Sequence, residues 1–469
     1  MLGSPHLGVY LVAGWIAYLV LLGGWIILQK REPVATLSWL LGLALLPYLG
    51  FLIYHVFGPQ RIERQVLRRA RHRVSPPANA DDSGHADAAE LARLSQGATG
   101  LAGTSARDVR LLVDGAAKYE ALLADIRAAT LHVHLEYYIY EPDRTGRALR
   151  DALVERARAG VKVRLLLDAV GSAGARNFFG DLIDAGGELA WFHPLRFGRV
   201  WQRPWLNLRT HRKIVVIDGR IAYTGGMNVT DEQDERLGDA AYRDLHLRLE
   251  GDAVRVLQGV FAEDWAYATG GHDFLADLAR ETPAGRRDPI ATHVLVSGPD
   301  SSWEPIHRLH VAAIYAARER VWLTTPYFVP GEAAMMALTS AALGGIDVRL
   351  LVPRMSDSRL VTLAARSYYG PLLRAGVKVY EYGPRLLHSK SLLVDDHFAL
   401  IGSANFDHRS FRLNFEVSLL FDDAGIAAEL ARMIETEFAH APRVRRDGNR
   451  PLLRERLPEA LARLLSPIL

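Results

Sequence analysis

Two short motifs of the same form combine residue types that suit chemistry at an anionic, tetrahedral centre. In each motif a His is followed by a Lys two positions later and by an Asp five positions after the Lys. The two copies are His211, Lys213 and Asp218, and His388, Lys390 and Asp395. A ring nitrogen of the imidazole can attack such a centre, while the ammonium neutralises charge that grows on the oxygens.

The motif lysines stand out against the composition of the chain. Only six of the 56 basic residues are Lys, and two of the six, Lys213 and Lys390, belong to the motifs. Arg is the usual basic residue of this chain, so these positions select a compact ammonium over a planar guanidinium. We interpret both lysines as phosphate ligands.

The residues that follow each His indicate how the motif is held. The runs IVVID, ending at Asp218, and SLLVD, ending at Asp395, are apolar or β-branched and predict a buried strand after each His. Residues two positions apart in a strand project from the same face. His and Lys are therefore predicted to reach one pocket together, and the Asp to face the other side.

An Asn lies seventeen residues after each motif His, at Asn228 and Asn405. Small residues precede each one, Gly225–Gly226 in the first copy and Gly402–Ser403 in the second. Such turns permit close backbone approach, and an amide can donate a hydrogen bond to a phosphoryl oxygen. We predict that both amides bind phosphate.

A carboxylate follows later in each copy. Asp244 lies 33 residues after His211, and Glu416 lies 28 residues after His388. A carboxylate that accepts from Nδ1–H of a His fixes the tautomer and leaves Nε2 free to attack. The alternative is an acidic residue at a solvated strand edge, which is also common.

The motifs belong to a longer internal repeat. HRKIVVIDGRIAYTGGMN from residue 211 aligns with HSKSLLVDDHFALIGSAN from residue 388, and three shorter segments repeat in the same order. A single repeat of this length indicates a duplicated domain and not a solenoid.

The part of the chain around the repeat alternates strand-like and helical segments. Strands are predicted at Val109–Val113, Leu131–Tyr138 and Val161–Leu167, with helices at Tyr119–Ala128 and Thr145–Arg158 between them. This alternation indicates α/β domains with largely buried sheets.

The first 58 residues predict a transmembrane helical hairpin. Leu7–Leu28 and Val34–Phe57 carry no charge, and about 20 apolar residues span a bilayer. Six Arg follow the second span between residues 61 and 73, against Lys30 and Arg31 in the connection. By the positive-inside rule the rest of the chain lies in the cytoplasm.

Two further segments look peripheral to the repeats. Residues 59–105 are predicted to be a basic juxtamembrane segment and a flexible linker, with a short helix near Glu90. Residues 446–469 form an amphipathic tail with apolar residues at helical spacing. We expect this tail to pack on the domain, the alternative being that it lies on lipid.

Two such motifs, each followed by a Gly-rich turn with Asn and by a later carboxylate, resemble the phospholipase D superfamily. The neighbourhood of the motifs, HRKIVVIDGRIAYTGGMN and LLHSKSLLVDDHFALIGSANFDHRSFRLNFEV, behind two apolar segments, is similar to bacterial cardiolipin synthases in particular. The resemblance implies two duplicated phospholipase-D-like domains, residues 106–290 and 291–445, that form a pseudo-two-fold sandwich with one active site.

The resemblance also implies a reaction and roles for the site residues. A phosphatidyl group passes between two phosphatidylglycerol molecules through a phosphatidyl-histidine, giving cardiolipin and glycerol at a bacterial inner membrane. His211 is implied as nucleophile and His388 as general acid and base, without a metal or a cofactor. Phosphate is held by Lys213, Lys390, Asn228 and Asn405; Asp244 and Glu416 orient the two His; the motif residues Asp218 and Asp395 are more structural. Gly226 stands where the family often has Ser, so a hydrogen bond from that Ser is absent.

Two other functions stay open on the sequence. The same site could hydrolyse another phospholipid or exchange its head group, or it could cleave nucleic acid. The hairpin favours a lipid, and the net charge of +3 gives no argument for a nucleic-acid partner. The absence of Cys excludes disulfides, thiol nucleophiles and Cys-based metal sites.

Several polar and aromatic residues near the motifs can be interpreted as core residues instead of site residues. His132, His134 and His246 are interpreted as satisfied core residues. Four others are equally compatible with the pocket and with the core: Glu136, Tyr137, Tyr138 and Tyr327.

Overall fold

The computed structural model describes residues 5–28, 33–46, 50, 54, 86–194, 207–271, 288–445 and 451–466. The chain divides into two units. The first comprises Met1–Arg61 and Leu195–Asn207, and the second comprises Ile62–Pro194 and Leu208–Leu469.

Among its described residues, the first unit contains the apolar helices α1 (Pro5–Leu28) and α2 (Pro33–Leu45). Ile26 of α1, Leu43 of α2 and Tyr54 pack together in a small buried cluster. Within the described residues, only α1 is long and apolar enough to cross a membrane. The second predicted span continues to residue 57, and most of it beyond α2 lies outside the described residues, as do residues 59–85. The hairpin stays a prediction.

The second unit begins with elements that lead into the first repeat. They are α3 (Ala86–Thr99), β1 (Thr104–Ala106), β2 (Asp108–Val113), α4 (Asp114–Arg127), β3 (His132–Tyr137), α5 (Arg144–Arg158), β4 (Lys162–Asp168), α6 (Gly180–Asp184), β5 (Glu188–Phe192), β6 (Ile214–Ile217), β7 (Ile221–Gly225), β8 (Leu245–Glu250) and α7 (Ala253–Thr269).

The second repeat follows with a similar succession. Its elements are β9 (Ile290–Ser297), α8 (Pro305–Ala316), β10 (Arg320–Thr324), β11 (Phe328–Val329), α9 (Glu332–Leu343), β12 (Asp347–Pro353), α10 (Arg359–Ser367), α11 (Tyr369–Ala375), β13 (Lys378–Tyr382), β14 (Ser391–Val394), β15 (Phe398–Gly402), β16 (Phe406–Asp407), α12 (His408–Arg412), β17 (Glu416–Asp422), α13 (Ala424–Phe438) and α14 (Leu457–Leu464).

The two main sheets repeat one strand order. The first is a 7-stranded sheet in the order β2-β8-β7-β6-β3-β4-β5, and the second is an 8-stranded sheet in the order β1-β9-β17-β15-β14-β10-β12-β13. In both, the last three strands are parallel and the strands that follow the motifs pair antiparallel. The predicted duplication and α/β class are confirmed.

The predicted secondary structure of the first repeat agrees with the observed elements, apart from one helix start. The helix predicted from Tyr119 begins at Asp114, where the preceding strand ends. A correction concerns the linker. Within the predicted linker at residues 59–105, the helix expected near Glu90 is present as α3. The described part of this segment is not flexible, because α3 packs on the second repeat and β1 adds to β9 at the edge of its sheet.

The main core lies between the two sheets. Val216 of β6 and Leu393 of β14 point into it, together with residues of α7 and α13, while Val215 and Leu392 point into separate outer cores. Each motif strand is thus buried on both faces, as its apolar run predicts. The arrangement is the expected sandwich of two repeats.

Backbone hydrogen bonds connect the two repeats beside each motif. The amide of His211 donates to the carbonyl of Phe415 (2.9 Å), and the amide of His388 donates to the carbonyl of Arg243 (2.7 Å). Phe415 and Arg243 immediately precede the two candidate carboxylates, Glu416 and Asp244. Each motif therefore lies beside the carboxylate of the other repeat.

The C-terminal tail packs on the second repeat, as predicted. Helix α14 lies against α10, and its Ala462 is buried there together with Ser466. The hydroxyl of Tyr368, which follows α10, donates to Oγ of Ser466 (2.9 Å).

Candidate active site

Both motif histidines line one cavity of about 980 Å³. Asn228 and Asn405 line it as well, so equivalent residues of the two repeats face the same space. The predicted composite site is present in the structure. Within the described residues, no group of His, Cys, Asp and Glu could hold a metal ion.

The orienting carboxylates are exchanged between the repeats. Nδ1 of His211 lies 2.9 and 3.0 Å from the two carboxylate oxygens of Glu416, and Nδ1 of His388 lies 2.6 Å from Oδ2 of Asp244. The sequence places each carboxylate after the His of its own repeat, whereas the fold pairs it with the other His. With Nδ1 engaged, Nε2 is the nitrogen available for chemistry.

Burial and the crossed pairs set the charges of these groups. Burial lowers the pKa of His211 to about 4, against the opposing effect of Glu416. Burial also lowers the pKa of His388, assisted by Lys390. Burial alone would raise the pKa of Asp244, but Lys390 and His388 outweigh it and hold this pKa below its usual range. Burial thus opposes the charged form of both imidazoles, and the ionised carboxylates Glu416 and Asp244 favour it.

The two carboxylates are supported by different residues. The hydroxyl of Ser403 and the amide of Asn414 (3.2 Å) donate to Glu416. A Cβ atom on Gly226, the counterpart of Ser403, would lie 2.1 Å from Oδ1 of Asp244, so Ser does not fit there. The amide of Gln233 takes over this hydrogen bond, since its Nε2 lies 3.4 Å from Oδ2 of Asp244.

Sequence reasoning missed Gln233, although the repeat contains a signal for it. Gln233 lies five residues after Asn228, and Ser410 lies five residues after Asn405. Both side chains accept a hydrogen bond from the backbone amide of their Asn. Gln233 is longer than Ser410 and reaches across to the Asp244 pair as well.

The prediction that His and Lys reach one pocket together is wrong for the lysines, because each strand begins only after its Lys and neither Lys lines the cavity. Nζ of Lys213 donates to the carbonyl of His211 (2.7 Å), and Nζ of Lys390 donates to the carbonyl of His388. Burial lowers the pKa of Lys213 to about 7 and that of Lys390 to about 8. A phosphate in the cavity would raise both pKa values, because an anion favours the charged form of a nearby ammonium.

Both Asn side chains line the cavity, and their amide oxygens differ in hydrogen-bond partners. Oδ1 of Asn228 accepts from the amide of Ile139 (3.2 Å), so its NH₂ group is the part left for a ligand. Oδ1 of Asn405 has no hydrogen-bond partner among the described residues. The turn of Asn228 is held from below by Lys118, whose Nζ donates to the Asn228 carbonyl (2.7 Å). Sequence reasoning also missed Lys118, although it is one of only six Lys.

The motif aspartates lie at the far end of their strands. Asp218 accepts from the amides of Leu131 (2.8 Å) and His132 (2.9 Å), and Asp395 accepts in the same way from residues 318–320. Both have positive φ, 53° and 52°, a conformation that Asp tolerates better than most residues. Neither lines the cavity, which supports their structural interpretation over a chemical one.

Of the four residues that the sequence leaves open between pocket and core, two line the cavity and two are core residues. The ring of Tyr138 lies 5.2 Å from the ring of His211, and Tyr327 donates to Asp357, with both tyrosines lining the cavity. Glu136 and Tyr137 are fully buried and do not line it. The three other histidines, His132, His134 and His246, are buried and contact Gln258 or backbone, as expected of core residues.

Two family models match the chain. One, described as "Cardiolipin synthase, PLD-like domain", matches residues 122–265 and again residues 311–440. The other, described as "Phospholipase_D-nuclease N-terminal", matches residues 16–59. The duplicated match covers both repeats of the site.

Whole-chain relatives carry the same name. The chain is 37% identical to cardiolipin synthase 2 of Bacillus anthracis over 96% of this chain and 90% of the relative. It is 39% identical to cardiolipin synthase 2 of Bacillus cereus over the same shares. The chain belongs to the cardiolipin synthase family. Membership makes it a phosphatidyltransferase that acts on phospholipid, and the N-terminal match with α1 indicates membrane association.

A solved structure shares the fold. Phosphatidylserine synthase of Haemophilus influenzae superposes with a TM-score of 0.59 over 81% of this chain and all of that chain, at 14% identity. The architecture of the cardiolipin synthase family is therefore also found in a protein that is remote in sequence.

The two kinds of carboxylate are predicted to differ in mutants. Glu416→Gln keeps the size of the side chain but removes the charge that stabilises a cationic His211. We expect kcat to fall at least about 100-fold with little change in Tm. Asp395→Ala removes an acceptor of several backbone amides, so we expect a lower Tm, a cost of about 1–3 kcal/mol, and nearly unchanged kcat below the melting temperature.

Steady-state rates and calorimetry on the purified variants measure both effects. Asp396→Ala is the matched control, because Asp396 is the neighbouring carboxylate and its side chain is 84% exposed. Equal loss of kcat in the Asp395 and Glu416 variants would contradict the distinction.

Proposed function

We propose that the chain transfers a phosphatidyl group from one phosphatidylglycerol to another, giving cardiolipin and glycerol. The crossed pairs of His and carboxylate are the observation that supports this proposal most strongly. They present two imidazoles with available Nε2 atoms to one cavity, with two ammonium groups beneath it. One imidazole can attack phosphorus while the other manages the proton.

In the first step Nε2 of His211 attacks the phosphorus of the donor lipid. The bond from phosphorus to the oxygen of the head-group glycerol breaks, and protonated His388 gives its proton to that oxygen. Asp244 stabilises the cationic form of His388 before the transfer. Lys213 and Lys390 neutralise charge on the phosphoryl oxygens, for which the NH₂ groups of Asn228 and Asn405 are further donors.

In the second step neutral His388 removes the proton from a hydroxyl of the acceptor lipid. The resulting oxygen attacks the phosphorus, and the bond between phosphorus and Nε2 of His211 breaks. Each protein group then has its initial charge again. One phosphodiester has replaced another, so the exchange requires no other energy source.

The cavity walls support a polyol head group. Among the residues that the structure describes, six carboxylates line it with two Arg: Glu141, Asp143, Asp231, Glu232, Asp357, Asp407, Arg147 and Arg409. Carboxylates accept hydrogen bonds from the hydroxyls of glycerol.

Product analysis tests the substrate assignment. We expect the purified protein, in vesicles of labelled phosphatidylglycerol, to give cardiolipin and glycerol in equal amounts by mass spectrometry. Phosphatidic acid as the main product would indicate a hydrolase instead. Cleavage of an oligonucleotide by a protein inactive on lipid would contradict both lipid functions.

The division of labour between the two histidines is testable with an activated donor. A phosphatidyl ester of p-nitrophenol has a leaving group that needs no general acid, so formation of the covalent intermediate needs only the nucleophile. We expect His388→Ala to release a burst of one p-nitrophenol per site and His211→Ala to release none.

The two variants control for each other, because they alter equivalent positions of the repeat. A burst in His211→Ala and none in His388→Ala would assign the nucleophile to the second motif. Mass spectrometry of the quenched protein locates the phosphatidyl group.

We further propose a multi-pass protein of the bacterial inner membrane with its catalytic repeats in the cytoplasm. The length of α1 and the Arg-rich sequence after residue 60 support this placement. With two spans, the connection at Lys30 lies on the opposite side from the repeats. A single span would put both on one side.

Thiol labelling tests this topology, because the chain contains no Cys. A membrane-impermeant maleimide is expected to label Lys30→Cys in intact spheroplasts. It is expected to label Asp396→Cys only in inverted vesicles, since the Asp396 side chain is 84% exposed on the catalytic unit. Labelling of both residues from one side would overturn the hairpin.

A further inference from the structure

The C-terminal segment has an apolar face that is exposed in the part of the chain that the structure describes. The buried residues of α14 face the repeat, but leucines of α14 and of the helical turn before it (Leu452–Arg456) are exposed. Their exposed fractions are 62% for Leu452, 74% for Leu453, 43% for Leu457, 55% for Leu461, 75% for Leu464 and 41% for Leu465. We call these six residues the leucine face.

The leucine face lies one helix away from the active-site cavity. Helix α10 packs against α14 and also supplies Val361 to the cavity lining. Leu360, next to Val361, is 37% exposed, and Met355, just before α10, is 53% exposed. Apolar surface is therefore present both at the tail and on the helix that joins it to the cavity.

The exposed charged residues beside the leucine face are positively charged. Arg454, Arg456 and Arg463 are exposed, whereas Glu455 is half-buried and Glu459 is buried. The guanidinium of Arg463 lies over the ring of Tyr368, 4.4 Å from its centre. A helix with leucines on one side and arginines beside them fits the interface of an anionic bilayer.

We propose that the leucine face docks on the anionic phospholipid surface and holds the cavity next to the lipid that it must extract. A second copy of the chain fits less well, because symmetric pairing of two leucine faces would bring the arginines of both copies together. The proposal rests on the proposed function only for the identity of the lipid. Docking itself can be measured without turnover.

A single fluorescent label can report whether the face enters lipid. The chain has no Cys, so Leu457→Cys and Leu461→Cys each give one attachment site for an environment-sensitive dye in the full-length protein. Leu343→Cys is the matched control, since this leucine is 73% exposed at the end of α9. The proteins are placed in phosphatidylcholine vesicles with or without phosphatidylglycerol.

We expect a blue-shifted emission and quenching by a nitroxide on the lipid chains at positions 457 and 461, and neither at position 343. Omission of phosphatidylglycerol is expected to weaken the effect. Labels at 457 and 461 that stay open to aqueous iodide would overturn the proposal. A blue shift that follows protein density without nitroxide quenching would overturn it too, in favour of a second copy.

Activity gives a second measurement. The double variant Leu457→Gln, Leu461→Gln is expected to lose about fivefold in turnover on vesicles and less than about twofold in mixed micelles, where substrate reaches the cavity without docking. Leu343→Gln should match the parent protein in both. Equal rates for all proteins on vesicles would contradict a role of docking in catalysis. Lipid insertion without cardiolipin formation would contradict the proposed function and leave the docking surface supported.

Discussion

The site depends on the backbone pairing that joins each motif to the opposite repeat. The hydrogen bonds from His211 to Phe415 and from His388 to Arg243 place a carboxylate of one repeat beside the His of the other. Neither repeat on its own contains a motif His together with the carboxylate that orients it. The exchange makes the active site a property of the sandwich, so a loss of contact between the repeats removes both catalytic pairs at once.

Because the paired groups are buried, the electrostatic interactions between them are strong. Lys213, Lys390, Asp244 and Glu416 are all buried within one site, and isolated charges would be costly there. Lys390 and His388 hold the pKa of Asp244 below its usual range, and His211 and Lys213 do the same for Glu416. In return the carboxylates partly offset the effect of burial on the pKa of the histidines and lysines. An anionic phosphate adds the negative charge that this cluster can stabilise, since both lysines then gain a partner.

The pseudo-symmetry is broken where the two histidines need different properties. Glu416 contacts His211 with both oxygens and is fixed by Ser403 and Asn414. Asp244 has a shorter side chain, and its carboxylate lies so close to Gly226 that residue 226 cannot carry a side chain. Its hydrogen bond comes from Gln233 instead. Duplication supplied two similar sites, and these substitutions gave each His its own surroundings, which is compatible with one nucleophile and one proton carrier.

Much was determined by the sequence alone, because the responsible signals are local. The spacing of each motif follows from a strand of four residues, with His before it and the anchoring Asp after it. The internal repeat, the alternation of strands and helices along the chain, and the turns that carry the Asn could be predicted for the same reason. The sequence also predicts a helix near Glu90, which is observed at residues 86–99. It does not predict that this helix packs on the second repeat.

Only the tertiary structure decided which groups meet. The exchange of Asp244 and Glu416 depends on contacts between segments 144 and 205 residues apart, for which one sequence has no local signal. The substitution of Gln233 for a Ser at position 226 depends on a steric contact in the folded chain. The periodicity of the tail likewise showed an apolar face, but packing against α10 decided which leucines are covered and which are left for another surface.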